Sequence, residues 1–274
     1  PPPRAFFFLM IRRPRCSTVF PYSSLFGSNH KGMPETLDEL VAAVTQTFAH
    51  GGNLVVPAFA LGRTQDLLVL LGELTLAGRL HDLKVFVDSP LAAAATEATL
   101  RHVAVLDAST RDVLRRAVAG HLPLQLRFTE SVEDSKSLNR LRSGAIIIAA
   151  SGMCDAGRVK HHLERNLPRA ECGVLFTGFQ AAGTLGRRLV DGARSVRLFG
   201  EDVPVRAQRY TLGGLSAHAD RAALLGWLRR FQGPPQRTFV VHGEAETAIG
   251  FAAAVNQELG WRAEAAVRGA TIAL

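Results

Sequence analysis

The sequence has few cysteines, few lysines and no long apolar run. It contains only Cys16, Cys154 and Cys172, and no two of them form a CxxC pair. This argues against a disulfide framework and favours buried thiols over metal ligands. So few cysteines, without a pairing pattern, are typical of proteins from a reducing compartment, so we expect a cytoplasmic protein. No apolar run approaches the ~18 residues of a membrane-spanning helix, so no membrane partner is expected.

The first 26 residues lack any acidic side chain and show no regular hydrophobic period. They hold five of the fifteen phenylalanines of the chain. They make a poor signal peptide, because the apolar run at 5–11 is short and the basic cluster follows it. The segment resembles a translated sequencing-adapter read. We therefore predict that residues 1–26 are not biological, with a genuine but unusual N-terminal tail as the alternative.

The net charge of +8 is only a weak sign of an anionic partner. Four of the positive charges, Arg4, Arg12, Arg13 and Arg15, lie in the adapter-like segment, and without them the charge falls to +4. Nearly all the remaining basic residues are arginines. A GC-rich genome would produce that bias without any functional meaning.

From residue 27 onward, segments typical of helices alternate with segments typical of strands. Leu37, Leu40 and Val44 recur at helical spacing, and the apolar run 145–150 indicates a fully buried strand. Ser89 stands directly before a proline, as an N-cap residue does. We expect a turn at 201–204 and a short strand at 271–272. The alternation predicts an α/β fold with a mostly parallel sheet covered on both faces.

Ligands of such sheets bind at the carboxyl ends of the strands. The turns expected there, at 57–63, 88–90, 151–155 and 177–180, are small, polar or glycine-containing. They could cradle phosphate with backbone N–H groups, or they could be ordinary connecting turns. The run 178–185 begins like a P-loop but lacks its lysine, which argues against nucleoside triphosphate hydrolysis.

Two of the nine histidines stand where an apolar run gives way to a turn of small residues. His218 lies in a Ser-Ala-His-Ala-Asp turn, and His242 follows a Thr-Phe-Val-Val run. A neutral imidazole in such a place suits a metal ligand or a proton donor. Asp220 and Glu244 could orient the rings through hydrogen bonds. The alternative is that both histidines only make local hydrogen bonds within their turns.

Several stretches together resemble the β-CASP branch of metallo-β-lactamase-fold nucleases, which includes the mRNA 3′-end cleavage nuclease and ribonuclease J. The matching stretches are Pro57-Ala-Phe-Ala-Leu-Gly-Arg-Thr-Gln65, Val87-Asp-Ser-Pro-Leu-Ala92, Ala150-Ser-Gly-Met-Cys154, Gly178-Phe-Gln180, Leu215-Ser-Ala-His-Ala-Asp220 and Val241-His-Gly-Glu244. The resemblance implies a β-CASP domain at 27–205. It also implies that 206–274 form the C-terminal part of a metallo-β-lactamase αββα core.

The resemblance also implies hydrolysis of RNA phosphodiester bonds by a zinc-bound hydroxide at a two-zinc site. His218 matches the general acid that protonates the leaving oxygen, and His242 matches a ligand of one zinc. Ser216 matches a residue that holds the RNA phosphate. We expect Arg63 and Ser89, in the turns after two predicted strands, to contact phosphate as well.

The chain departs from the family pattern at its metal ligands. No His-x-His occurs, whereas the family binds its metals through a His-x-His-x-Asp-His run. The place of the first β-CASP motif reads Ser23-Ser-Leu-Phe-Gly27, without an acidic residue. One histidine cannot hold two zinc ions, so we expect at most weak zinc binding.

We therefore interpret the chain as a fragment of an RNA-processing nuclease that is inactive in isolation. The main alternative is a non-catalytic RNA- or phosphate-binding module. Another metallo-β-lactamase-fold hydrolase, acting on a small ester, is a weaker alternative, because the stretches that match the β-CASP domain argue against it. RNA is the expected partner, and a homodimer is a further expectation.

Overall fold

The computed structural model of the chain describes residues 31–216 and 218–271, together with the backbone of Phe7–Phe8. The chain divides into two compact units, Gly32–Leu215 and Ser216–Leu274 with Pro1–Lys31. Except for that two-residue backbone, the adapter-like segment lies outside the described residues. The place of the first β-CASP motif, at 23–27, lies outside them too.

The unit Gly32–Leu215 is built on a six-stranded sheet in which every neighbouring pair is parallel. In sheet order the strands are β4 (Leu124–Phe128), β3 (Leu83–Asp88), β5 (Ala145–Ala149), β2 (Leu54–Pro57), β6 (Gly173–Phe176) and β9 (Gln208–Thr211). Every residue of β2, β5 and β6 is buried, as expected for central strands covered on both faces. The predicted α/β fold with a mostly parallel sheet is confirmed.

Seven helices of this unit join and cover the strands. They are α1 (Met33–Ala49), α2 (Arg63–Leu76), α3 (Pro90–Arg101), α4 (Ala108–Val118), α5 (Val132–Leu138), α6 (Val159–Asn166) and α7 (Leu185–Val190). Because side chains alternate along a strand, Val56 packs in the core with α1, α2 and α4, while Val55 packs in the core with α6 and α7. The sheet thus separates two hydrophobic cores.

One expected turn is a strand. Residues Glu201–Pro204, predicted as a turn, form β8, which pairs antiparallel with β7 (Ser195–Leu198). The prediction was wrong because the real turn is Phe199-Gly200, where both residues have positive φ, as tight hairpin loops require. Pro204 is tolerated because it forms the last pair of the ladder, opposite Ser195.

The unit Ser216–Leu274 has its own sheet and core. Strand β10 (Thr238–Val240) pairs parallel with β11 (Ala263–Ala265) and with β1 (Phe7–Phe8). Helices α8 (Arg221–Leu228) and α9 (Ala245–Leu259) bury Leu224, Phe251 and Val255 in one cluster. Of the strand predicted at 271–272, Thr271 is not in a strand and residue 272 lies outside the described residues. No helix of the described residues is long and apolar enough to cross a bilayer.

Candidate functional site

The two histidines that the sequence singles out lie next to each other in the unit Ser216–Leu274. Their ring centroids are 6.2 Å apart and their planes differ by 17°. His218 is half-buried and His242 is exposed. Although they are separated along the chain by a helix and a strand, the two rings therefore lie close enough to face one bound group.

Local hydrogen bonds shape the turn that presents His218. The backbone N–H of His218 donates to Ser216 Oγ at 3.2 Å. Asp220 is the N-cap of α8, and its Oδ1 accepts from the Ala223 N–H at 2.8 Å. The Ser216 hydroxyl and the Asp220 carboxylate thus bracket the histidine and order the turn before any ligand binds.

His242 has an unusual backbone conformation for a residue with a side chain. Its φ is 72°, in the left-handed region that costs a non-glycine residue roughly 1 kcal/mol. The conformation turns the chain between β10 and α9, whose N-cap position is Glu244. Such conformations are common at functional sites, so the strain supports a functional interpretation of His242.

Arg63, predicted to bind phosphate, uses its guanidinium within the unit Gly32–Leu215. Its Nη2 donates to the carbonyl oxygen of Leu215, and its Nη1 donates to Asp66 Oδ2 at 3.2 Å. Burial lowers the pKa of Arg63, and the Asp66 carboxylate opposes that shift. Arg63 thus anchors the residue that precedes Ser216, while its contact with phosphate stays a prediction.

Ser89 is confirmed as the N-cap of α3. Its Oγ accepts from the Ala92 N–H at 3.2 Å, and the residue is buried. The hydroxyl therefore has a local structural role. Its predicted contact with phosphate stays a prediction.

Asp88, at the end of β3, is a fully buried carboxylate whose role the sequence analysis missed. Its Oδ2 is 2.6 Å from His162 Nε2 and accepts from Ser135 Oγ at 2.6 Å. Its Oδ1 accepts from Arg158 Nη1 at 2.8 Å and also from Thr129 Oγ1. Burial alone would raise the pKa of Asp88, but these hydrogen bonds, with that from His162 the largest, hold it well below its usual range.

This network is structural rather than nucleophilic. Ser135 bonds to Asp88 directly, whereas in a catalytic triad the histidine would lie between the serine and the acid. Arg158 also donates to the carbonyl oxygens of Thr129 and Glu130, so one arginine joins the ends of β3 and β4 to α6. The sequence signals for it were the place of Asp88 at the end of a predicted strand and the four-residue spacing of Arg158 and His162.

The described residues do not form a zinc centre on their own. Within 31–216 and 218–271, no three His, Cys, Asp or Glu side chains converge so that they could hold a metal ion. Cys154 and Cys172 are free and buried, and burial raises the pKa of both thiols. His242 can thus supply one ligand, and this set does not fit the two-zinc site that the resemblance implied.

Fold and site together define an α/β protein with a parallel-sheet unit and a smaller unit that presents paired histidines. Residues 64–189 match the Beta-Casp domain, and residues 202–266 match the Zn-dependent metallo-hydrolase RNA specificity domain. The chain therefore belongs to the β-CASP metallo-β-lactamase-fold nuclease family.

Individual relatives agree with this assignment. The chain is 35% identical over 220 residues to a Thermus thermophilus protein named Ribonuclease TTHA0252, covering 80% of this chain and 50% of that protein. It is 30% identical over 270 residues to the Transcription termination factor FttA of Thermococcus kodakarensis, covering 94% of this chain and 41% of that protein. It is 28% identical over 232 residues to an RNase J-like protein of Methanocaldococcus jannaschii, covering 84% and 52%. The chain spans about half the length of these relatives or less.

Proposed function

We propose that this chain provides the RNA-binding and proton-donating part of an enzyme that hydrolyses RNA phosphodiester bonds. The observation that carries the proposal is the pairing of His218 and His242, 6.2 Å apart on two ordered turns. A relative named as a ribonuclease and a match to an RNA specificity domain support RNA as the substrate class.

In this proposal the two residues of the first turn have separate tasks. The imidazolium of His218 donates its proton to the oxygen that leaves the phosphorus. The Ser216 hydroxyl already accepts from the His218 backbone N–H, so its own proton is directed elsewhere and can bind a non-bridging phosphate oxygen. The turn then holds the phosphate and the proton donor in fixed relative positions.

His242 is proposed as one zinc ligand, through a neutral ring nitrogen. The described residues do not complete that zinc centre, so His242 is given no step of its own in the reaction. The lack of three convergent ligands among the described residues favours a second candidate function for the isolated chain. In that function it binds RNA without cleaving it.

The test is RNA binding by the full chain, measured by fluorescence anisotropy with a labelled single-stranded RNA. We expect Ser216→Ala to weaken binding about tenfold, because a hydrogen bond to a charged group is lost. His218→Gln should weaken it less, since the glutamine amide still offers an N–H donor. Ser109→Ala and His121→Gln, at exposed positions of the unit Gly32–Leu215, are the matched controls. Wild-type affinity in both Ser216→Ala and His218→Gln would contradict the proposed site.

Measurements of zinc content and RNA cleavage distinguish the hydrolytic function from RNA binding without cleavage. We expect fewer than two zinc ions per chain by mass spectrometry and no RNA cleavage when zinc is added. His242→Ala should lower the residual zinc content, whereas His218→Ala should leave it unchanged. Equal losses would show that the two roles are misassigned, and two zincs per chain with cleavage would exclude the non-catalytic function.

A further inference from the structure

The unit Gly32–Leu215 carries an open groove whose lining shares no residue with the proposed RNA site. Its volume is about 440 Å³. Pro90, Ala93, Ala94 and Leu100 of α3 form one wall, and Val118 and Phe128 lie in the other. The groove is thus mostly apolar and runs along one helix.

The side chains of α3 that line the groove suit contact with a second helix. Pro90, Ala93, Ala94, Glu97 and Leu100 follow one another at spacings close to three and four residues, so they share one face of α3. Ala93 and Ala94 are small, which lets a partner helix approach closely. An amphipathic helix binds such a groove through apolar side chains of the same three- and four-residue spacing.

The charges of the groove select the kind of partner. Its two charged lining residues, Glu97 and Glu130, are both acidic, although the whole chain has a net charge of +8. Glu97 also pairs with Arg101 at 3.0 Å, while the exposed Glu130 side chain adds a negative charge at the other wall. An acidic rim repels RNA phosphates and attracts lysine and arginine side chains.

We propose that this groove docks a basic amphipathic helix of a partner protein. The apolar face of the partner helix lies on Ala93, Ala94 and Phe128, and its basic side chains face Glu97 and Glu130. The apolar contact gives most of the affinity, and the charges exclude acidic partners.

The test titrates the full chain with a short synthetic amphipathic helix of leucine and lysine, followed by fluorescence anisotropy. Ala94→Trp fills the groove at an exposed position of α3 and should weaken binding at least tenfold. Ala253→Trp, at an exposed position of α9, is the matched control and should leave binding unchanged. Glu130→Lys should weaken binding about threefold at low salt, whereas Glu201→Lys, on β8, should not.

Three results would overturn the proposal. Equal peptide affinity of Ala94→Trp and Ala253→Trp would show that the peptide does not bind in the groove. Equal affinity for a leucine–glutamate helix would show that the acidic rim selects nothing. Loss of RNA binding in Ala94→Trp would show that the groove belongs to the RNA site. A wild-type RNA affinity in that variant, together with lost peptide binding, supports a separate protein-docking site.

Discussion

At the scale of single residues, Asp88 and Arg63 show how the fold uses charges near the strand ends. Asp88 is completely buried, yet four different side chains hydrogen-bond to its two oxygens. Arg63 uses its guanidinium on Leu215, immediately before the turn that presents His218. Asp88 holds side chains of several elements together and Arg63 holds a backbone carbonyl, so we regard both as determinants of the shape of the unit Gly32–Leu215.

Replacing Asp88 by asparagine should destabilise the protein strongly. The change leaves the Arg158 charge without its partner and gives His162 and Ser135 a weaker acceptor. Breaking a buried pair costs about 3–5 kcal/mol, and we expect a loss near the lower bound because Arg158 is partly exposed. Urea unfolding followed by circular dichroism measures it. Asp112→Asn is the control, since its exposed pair with Arg116 should be worth less than ~1 kcal/mol. Equal losses in the two variants would contradict this account of Asp88.

The Asp88 network should also make the stability of the protein depend on pH in the acidic range. The folded pKa of Asp88 lies below its unfolded value, so its contribution is fully present above that unfolded value of about 3.9. The contribution is lost as the pH falls towards the folded pKa. Wild-type protein should therefore lose stability between about pH 4 and pH 2 more steeply than Asp88→Asn. Urea unfolding at a series of pH values measures the difference, and parallel curves would show that Asp88 does not titrate in this way.

At the scale of elements, hydrophobic period and capping residues were enough to place most helices and central strands. The run 145–150 became β5, and Ser89-Pro90 began α3 as predicted. Strand β4 was missed because it is an edge strand with alternating burial and no continuous apolar run. The Asp88 network was missed because its partners lie far away in sequence, His162 by 74 positions. The two histidines could be singled out because each turn carries its own local signal, and their roles stay predictions.

A glycine that lies very close to the backbone of another segment gives a test of the packing between elements. A side-chain carbon at Gly52 would overlap the backbone carbonyl of Glu171. Backbone atoms cannot give way cheaply, so Gly52→Ala should cost about 3 kcal/mol of unfolding free energy. Gly250→Ala is the control, because Gly250 lies in α9 with open space around it and should gain about 0.5–1 kcal/mol from helix propensity. Thermal unfolding of both variants checks the expected loss of stability in Gly52→Ala and the expected gain in Gly250→Ala. A gain at Gly52 would show that the turn before β2 is looser than described.

At the scale of the whole molecule, each unit buries its own hydrophobic residues, and the basic charge is unevenly spread along the chain. Half of the net charge of +8 comes from Arg4, Arg12, Arg13 and Arg15. The residues matched to the RNA specificity domain lie at 202–266, far along the sequence from those arginines. Phe7–Phe8 nevertheless pair with β10, which leads into His242, so distance along the sequence does not decide whether these arginines contact RNA.

The salt dependence of RNA binding tests this distribution of charge. Each phosphate contact to single-stranded RNA contributes about 0.7 to the slope of log affinity against log salt concentration. Four contacting arginines would thus contribute a slope of about 2.8. We expect the variant with Arg4, Arg12, Arg13 and Arg15 replaced by glutamine to keep the wild-type slope, because the proposed phosphate contacts come from the turn at Ser216 and His218. Substitution is preferable to deletion, since it preserves the pairing of Phe7–Phe8 with β10. Anisotropy titrations at several salt concentrations give both slopes. A decrease of more than about 2 would show that the first segment contacts RNA phosphates.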